Sequence, residues 1–188
     1  MHALIREVFG SQPAISKIYY KSATNDTVKG FDAVHVVEDG GDLELWLGEV
    51  KFYKDIARAI HDVKSEIAAH MTKDFLRDEF ILITSKVDPG WQHAAKLKQL
   101  ISKRTSLDTV FKRTCLPILL TYESECVSNH NEDGAKYKTA LEAELRTIYN
   151  KFATGTFPSV RIHLFLIPLD KKDALVSVLQ KKLEGLQR

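Results

Sequence analysis

The stretch from Gly30 to Tyr53 limits what this chain can fold into more than any other. Two strand-like runs flank an acidic, glycine-rich turn at Asp39-Gly40-Gly41-Asp42. Val34, Val36 and Val37 supply β-branching in the first run, and in the second Leu43, Leu45 and Leu47 alternate with Glu44, Trp46 and Gly48. The turn fits a hairpin with a loop of about four residues. Side chains two apart on a strand point the same way, so the leucine face continues as Glu49 and Lys51. Charge on an apolar face is costly unless it meets an opposite charge or a metal. Asp32, on the preceding strand of the hairpin, can converge on the same spot.

Two carboxylates and one ammonium in this arrangement suit metal-dependent phosphodiester hydrolysis. Asp32 and Glu49 are hard oxygen ligands of the kind Mg²⁺ takes in small number, with Mn²⁺ as a substitute, and the Val50 carbonyl between Glu49 and Lys51 is a further candidate ligand. A bound ion would lower the pKa of a coordinated water and offset phosphate charge. Lys51 would orient or deprotonate that water, or stabilise the developing charge. The alternative is an ordinary ion pair of Lys51 with Asp32 or Glu49 at the strand's end.

The runs G-F-D-A-V-H at 30–35 and L-W-L-G-E-V-K-F-Y at 45–53 resemble the PD-(D/E)xK nuclease superfamily and, within it, the HamA family, effectors of the Hachiman anti-phage defence system. The resemblance is strongest over residues 30–85. It implies metal binding by Asp32 and Glu49, a catalytic Lys51, DNA as substrate and a DNA helicase, HamB, as the partner that restrains the nuclease. It also implies a chain shortened upstream of Gly10 relative to the family. Superfamily members often place a glutamate on the first helix near the metal, which makes Glu7 a candidate ligand, against the reading of a solvated helix carboxylate. His35 matches the histidine of G-F-D-x-x-H. It lies an odd number of residues from Asp32, so a regular strand points the two to opposite faces, and His35 reads as a packing or supporting residue.

Composition narrows the classes. With 188 residues and 44% hydrophobic content the chain is expected to form a single globular domain. Lys+Arg 27 against Asp+Glu 25 gives a net charge of +2, so DNA affinity must come from local patches. Cys115 and Cys126 have no zinc or C-x-x-C spacing and read as thiols of a reducing cytoplasm. The amino terminus does not have the pattern of a signal peptide, and no apolar run approaches the roughly 18 residues of a membrane span. A cytoplasmic location without membrane contact is expected. No P-loop is present, so this chain is expected to bind no nucleotide.

Along the chain, 2–9 read as a helix stopped by Gly10 and Pro13, and Ala14–Ala23 as a first strand followed by the turn Thr24–Thr27. Ile56, Ala59, Ile60, Val63, Ile67 and Met71 recur at helical spacing behind Asp55, a candidate N-cap. The flank of that helix offers Lys54, Arg58, Lys64 and Ser65 to a phosphate backbone, and the family resemblance, in which a polar residue of this helix often supports the metal-bound water, makes Lys64 or Ser65 a candidate for that role. His61 and His70 are half a helical turn out of phase and are not a metal pair. Glu79–Thr84 reads as a buried strand. A helix marked by Trp91, Ala94, Leu97 and Ile101 follows, within the most basic stretch: Lys96, Lys98, Lys103, Arg104, Lys112 and Arg113 against one acid, Asp108. Leu116–Thr121 reads as a strand that Pro117 assigns to an edge or a strand start. Glu123–Asp133 reads as an acidic loop whose Cys126 and His130 lack anything to orient them as a nucleophile and base. Then follow a helix lined by Tyr137, Leu141, Leu145, Ile148 and Phe152, a strand over Val160–Leu169 and a closing helix lined by leucines.

That order of elements predicts an α/β fold of α+β type, a mixed central sheet flanked by helices, as in the restriction-endonuclease-like core the resemblance implies. Three functions stay open: a metal-dependent DNA endonuclease serving as a defence effector beside a helicase, a restriction- or repair-type nuclease of the same fold with another partner, and a catalytically inactive module that binds DNA or a partner.

Overall fold

The computed structural model describes residues 1–15, 30–130, 134–155 and 160–187. In chain order its elements are α1 (His2–Phe9), β1 (Gln12–Ile15), β2 (Ala33–Asp39), β3 (Asp42–Phe52), α2 (Ile56–His70), α3 (Lys73–Lys86), α4 (Ala94–Leu100), α5 (Leu107–Lys112), β4 (Thr114–Glu123), α6 (Glu125–Asn129), α7 (Ala135–Ala153), β5 (Arg161–Leu169) and α8 (Lys172–Leu186). The five strands form one mixed sheet in the order β1-β2-β3-β4-β5, flanked by helices as expected. The chain divides into two compact units, the first comprising 1–50, 63–119 and 157–165 and the second 51–62, 120–156 and 166–188.

In the first unit α1 ends at Gly10, whose φ of 62° is left-handed backbone that glycine adopts without steric cost. The antiparallel hairpin β2–β3 runs in register from Ala33↔Gly48 to Asp39↔Asp42. Its loop is therefore two residues rather than four, because Gly40 and Gly41 both take positive φ (58° and 89°) and close a tight turn that suits strand twist. Asp32 lies one residue ahead of β2 rather than on it, with its amide donating to the Gly48 carbonyl at 2.8 Å. Residues 43–49 of β3 are buried on both faces. On one side Ile5 of α1, Trp46 and Cys115 form a cluster joined by Met1, Phe9 and Val37. Glu44 is buried there because the Trp46 indole Nε1 donates to it at 2.7 Å and Arg161 pairs with it.

Three expectations need correction. The run Glu79–Thr84 belongs to the helix α3. Leu76, Phe80, Ile83 and Val87 are buried at helical spacing while Ile81 is 51% exposed, a one-sided burial that a strand buried on both faces would not show. Pro117 is neither at an edge nor at a start. β4 is flanked by β3 and β5, and Pro117 is its fourth residue, lying beside Gly48 of β3. The acidic loop contains the helix α6, capped by Ser124 Oγ accepting from the Val127 amide, and its 131–133 lie outside the described residues. So does the expected strand beyond Ile15 with its Thr24–Thr27 turn.

In the second unit Asp55 Oδ1 accepts from the Arg58 amide at 2.6 Å, the cap its position suggests for the start of α2. The Tyr122 hydroxyl donates to Glu144 of α7 at 2.7 Å, and Ser124 Oγ donates to the same carboxylate at 2.8 Å. No helix among the described residues is long and apolar enough to cross a membrane.

Candidate active site

The end of the β2–β3 hairpin opposite its turn carries the candidate residues Asp32, Glu49 and Val50. Ladder pairing stops at Ala33↔Gly48, and the Asp32 side chain takes over: its Oδ2 accepts from the Val50 amide at 2.9 Å. The N–H and C=O of one strand residue point to the same side, so the Val50 carbonyl faces the edge at which Asp32 is bound. Glu49 is 2% exposed. Its Oε1 is 2.6 Å from Nδ1 of His70, the last residue of α2. That ring stacks on Phe75 at 4.3 Å and meets Phe31 edge-on at 5.2 Å.

Burial pushes the Glu49 carboxyl above its usual range. The His70 hydrogen bond works against that rise, whereas the nearby charges of Asp32 and Glu66 add to it. The site thus gathers negative charge around a buried carboxylate. Lys51, also buried, is two residues further along the same strand and belongs to the second unit, where its charge reaches the Tyr53 hydroxyl.

The carboxylates fit a hard divalent cation. Among the described residues no group of three or more His, Cys, Asp or Glu is arranged to hold a metal. Mg²⁺ needs no such cage, since it takes one or two carboxylates and keeps several waters.

The other sequence candidates scatter. The end of α1 that reaches Asp32 is His2, which is hydrogen-bonded to the Asp32 backbone, while Glu7 is exposed beside Arg6, Gly10 and Trp91. His35 is fully buried, with Nε2 2.6 Å from His2 Nδ1 and Nδ1 2.9 Å from Ser11 Oγ. Burial, then the charges of His2, Arg6 and the amino terminus, hold its pKa down at about 4. Lys54 pairs with Asp173 at 2.5 Å, and Arg58 with Asp62 at 3.7 Å, lying over the Tyr53 ring. Lys64 is half-buried and Ser65 exposed. Lys96 donates to the Gly41 carbonyl and Arg113 pairs with Asp42, so both are committed to the hairpin turn. Lys98 and Lys103 line a different hollow with Phe80 and Ile81, and Arg104 is exposed. In the second unit the Cys126 thiol is pushed up, not down, and His130 Nδ1 is 2.7 Å from the Cys126 carbonyl oxygen, so no activated thiol forms.

Sequence reasoning missed His70 and Glu66. The signal for His70 was present: it follows Val63 and Ile67 at the spacing of the buried stripe, where a polar ring has to find a partner.

Fold and site together define a mixed α/β protein with a nuclease-like core and a buried glutamate close to a half-buried aspartate at the end of a hairpin. The chain belongs to the HamA family, whose model matches residues 1–183. That membership supports an association with Hachiman defence. Comparison with curated proteins and with solved structures gave no match.

Proposed function

We propose that this protein is a metal-dependent DNA endonuclease, the effector of an anti-phage defence system under the control of the helicase HamB. The observation that carries the reading is the convergence of Asp32 and Glu49 at Val50, with Lys51 next on the strand. Asp32, Glu49 and the Val50 carbonyl would hold Mg²⁺ or Mn²⁺. Such an ion, when bound, supplies Lewis acidity that makes water a better nucleophile and offsets phosphate charge. The Val50 amide fixes the Asp32 carboxylate in place, so that group need not reorganise. Lys51 emerges from a buried stretch of strand, which restricts its rotamers, and its ammonium would hold the attacking water or meet charge developing on the phosphate.

Family membership and the nuclease-like fold support this reading over a relic that only binds, since a relic has no need to keep Glu49 and Lys51 buried on β3 with Asp32 close to Glu49. The reading is tested by incubating supercoiled plasmid with the protein in Mg²⁺, Mn²⁺ or EDTA, alone and with the helicase and ATP. Metal-dependent nicking or linearisation in either setting supports it, and intact plasmid in both removes it.

A further inference from the structure

We infer that His70 is a positioning residue, which holds the Glu49 carboxylate in the one orientation that binds the divalent cation; the inference rests on the metal-dependent reading above. A glutamate side chain has three rotatable bonds, and burial alone does not choose which oxygen faces the ion. Here one oxygen, Oε1, is engaged by His70 Nδ1 at 2.6 Å. A carboxylate held through one oxygen presents the other in a defined direction, the arrangement by which partners outside the coordination sphere tune metal ligands.

The imidazole is itself held. It closes α2, stacks at 12° on Phe75 just beyond the helix, and abuts Phe31, the buried neighbour of Asp32. One ring therefore touches Glu49 directly and the segment that carries Asp32 through Phe31. A ring clamped between two aromatics keeps Nδ1 aimed at Oε1, and the hydrogen bond adds directional constraint to the glutamate.

The test is Mn²⁺ affinity measured by calorimetry without DNA, on wild type, Glu49→Ala, His70→Phe and His70→Asn. Phe keeps the ring that stacks on Phe75 and loses the nitrogens, whereas Asn retains a donor near the Nδ1 position. The expected result is roughly 10–100-fold weaker binding in His70→Phe, with partial recovery in His70→Asn. Wild-type affinity in His70→Phe, with binding still lost in Glu49→Ala, overturns the role of His70 and leaves the metal reading standing. No Mn²⁺ binding by wild type overturns both. Should His70→Phe not fold, His70→Gln, whose amide extends to the Nε2 position instead, replaces it in the comparison with His70→Asn. Equal affinity in that pair also overturns the inference.

Discussion

Asp32 Oδ2 accepts the Val50 amide at 2.9 Å, so a side chain stands where the next backbone partner of β3 would be. One group thus serves both architecture and charge, and the two can be separated. Asp32→Asn keeps an acceptor for Val50 but loses the negative charge. It should change stability by less than about 1 kcal/mol while weakening metal binding, whereas Asp32→Ala should cost about 1–3 kcal/mol because the half-buried Val50 amide loses a charged acceptor. Thermal melting beside Mn²⁺ calorimetry separates the two effects. A drop in stability as large for Asn as for Ala would contradict the division.

His35 makes the fold acid-sensitive. Its folded pKa is held at about 4 against an ordinary 6.5, so between those values the unfolded chain binds the extra proton. The stability it confers is fully present above pH 6.5 and is lost as pH falls towards 4, up to about 3 kcal/mol for one such shift. His35→Leu removes the titrating ring and leaves Ser11 and His2 without it. That variant should be less stable at pH 7 and should show a flatter decline in acid, read by chemical denaturation at several pH values.

Gly30 is favoured by its backbone and, less strictly, by the end of a neighbouring side chain. Its φ is 95°, and a Cβ there would lie 2.6 Å from Glu79 Oε2. Gly30→Ala should destabilise by about 1–3 kcal/mol. In a Glu79→Ala background the steric part disappears and the backbone part stays, so the same substitution should cost less but still be unfavourable. Melting temperatures of the four proteins in that cycle decide it.

The basic stretch separates in the same way. Arg113 pairs with Asp42 at the hairpin turn, while Lys103 and Arg104 are exposed. Arg113→Ala should lower thermal stability slightly, by up to about 1 kcal/mol. Lys103→Ala with Arg104→Ala should leave stability unchanged and reduce the salt dependence of DNA binding by a slope of roughly 2. Binding titrations at several salt concentrations read the second effect, and an unchanged slope would remove these residues from the interface.

Much of the fold was legible because apolar residues recur with a period, even on α8, where Leu179 is exposed. α2, α7, α8 and the hairpin appear where the spacing of Val63, Ile148, Leu179 and Leu45 puts them, and α1 where Gly10 stops it. The failures have local causes. Glu79–Thr84 is apolar at nearly every position, so a short window cannot tell helix from buried strand, and only Leu76 and Val87 outside it carry the helical phase. Pro117 misled because nothing near it in the sequence says that β4 has a neighbouring strand on each side. Asp32, Glu49 and Lys51 could be singled out because charge interrupts an apolar face. The partnership of His70 with Glu49 depends on where the end of α2 lands on β3, a tertiary fact that spacing along one helix does not fix.

The most direct measurement is plasmid cleavage by wild type, Glu49→Ala and Lys51→Ala side by side in Mg²⁺ or Mn²⁺, with the helicase and ATP present in a parallel set. The account predicts metal-dependent cleavage by wild type, lost in Glu49→Ala with metal binding. In Lys51→Ala cleavage should fall by at least about 10²-fold while the fold and metal affinity are retained. Cleavage that persists in both variants, or in EDTA, would contradict it.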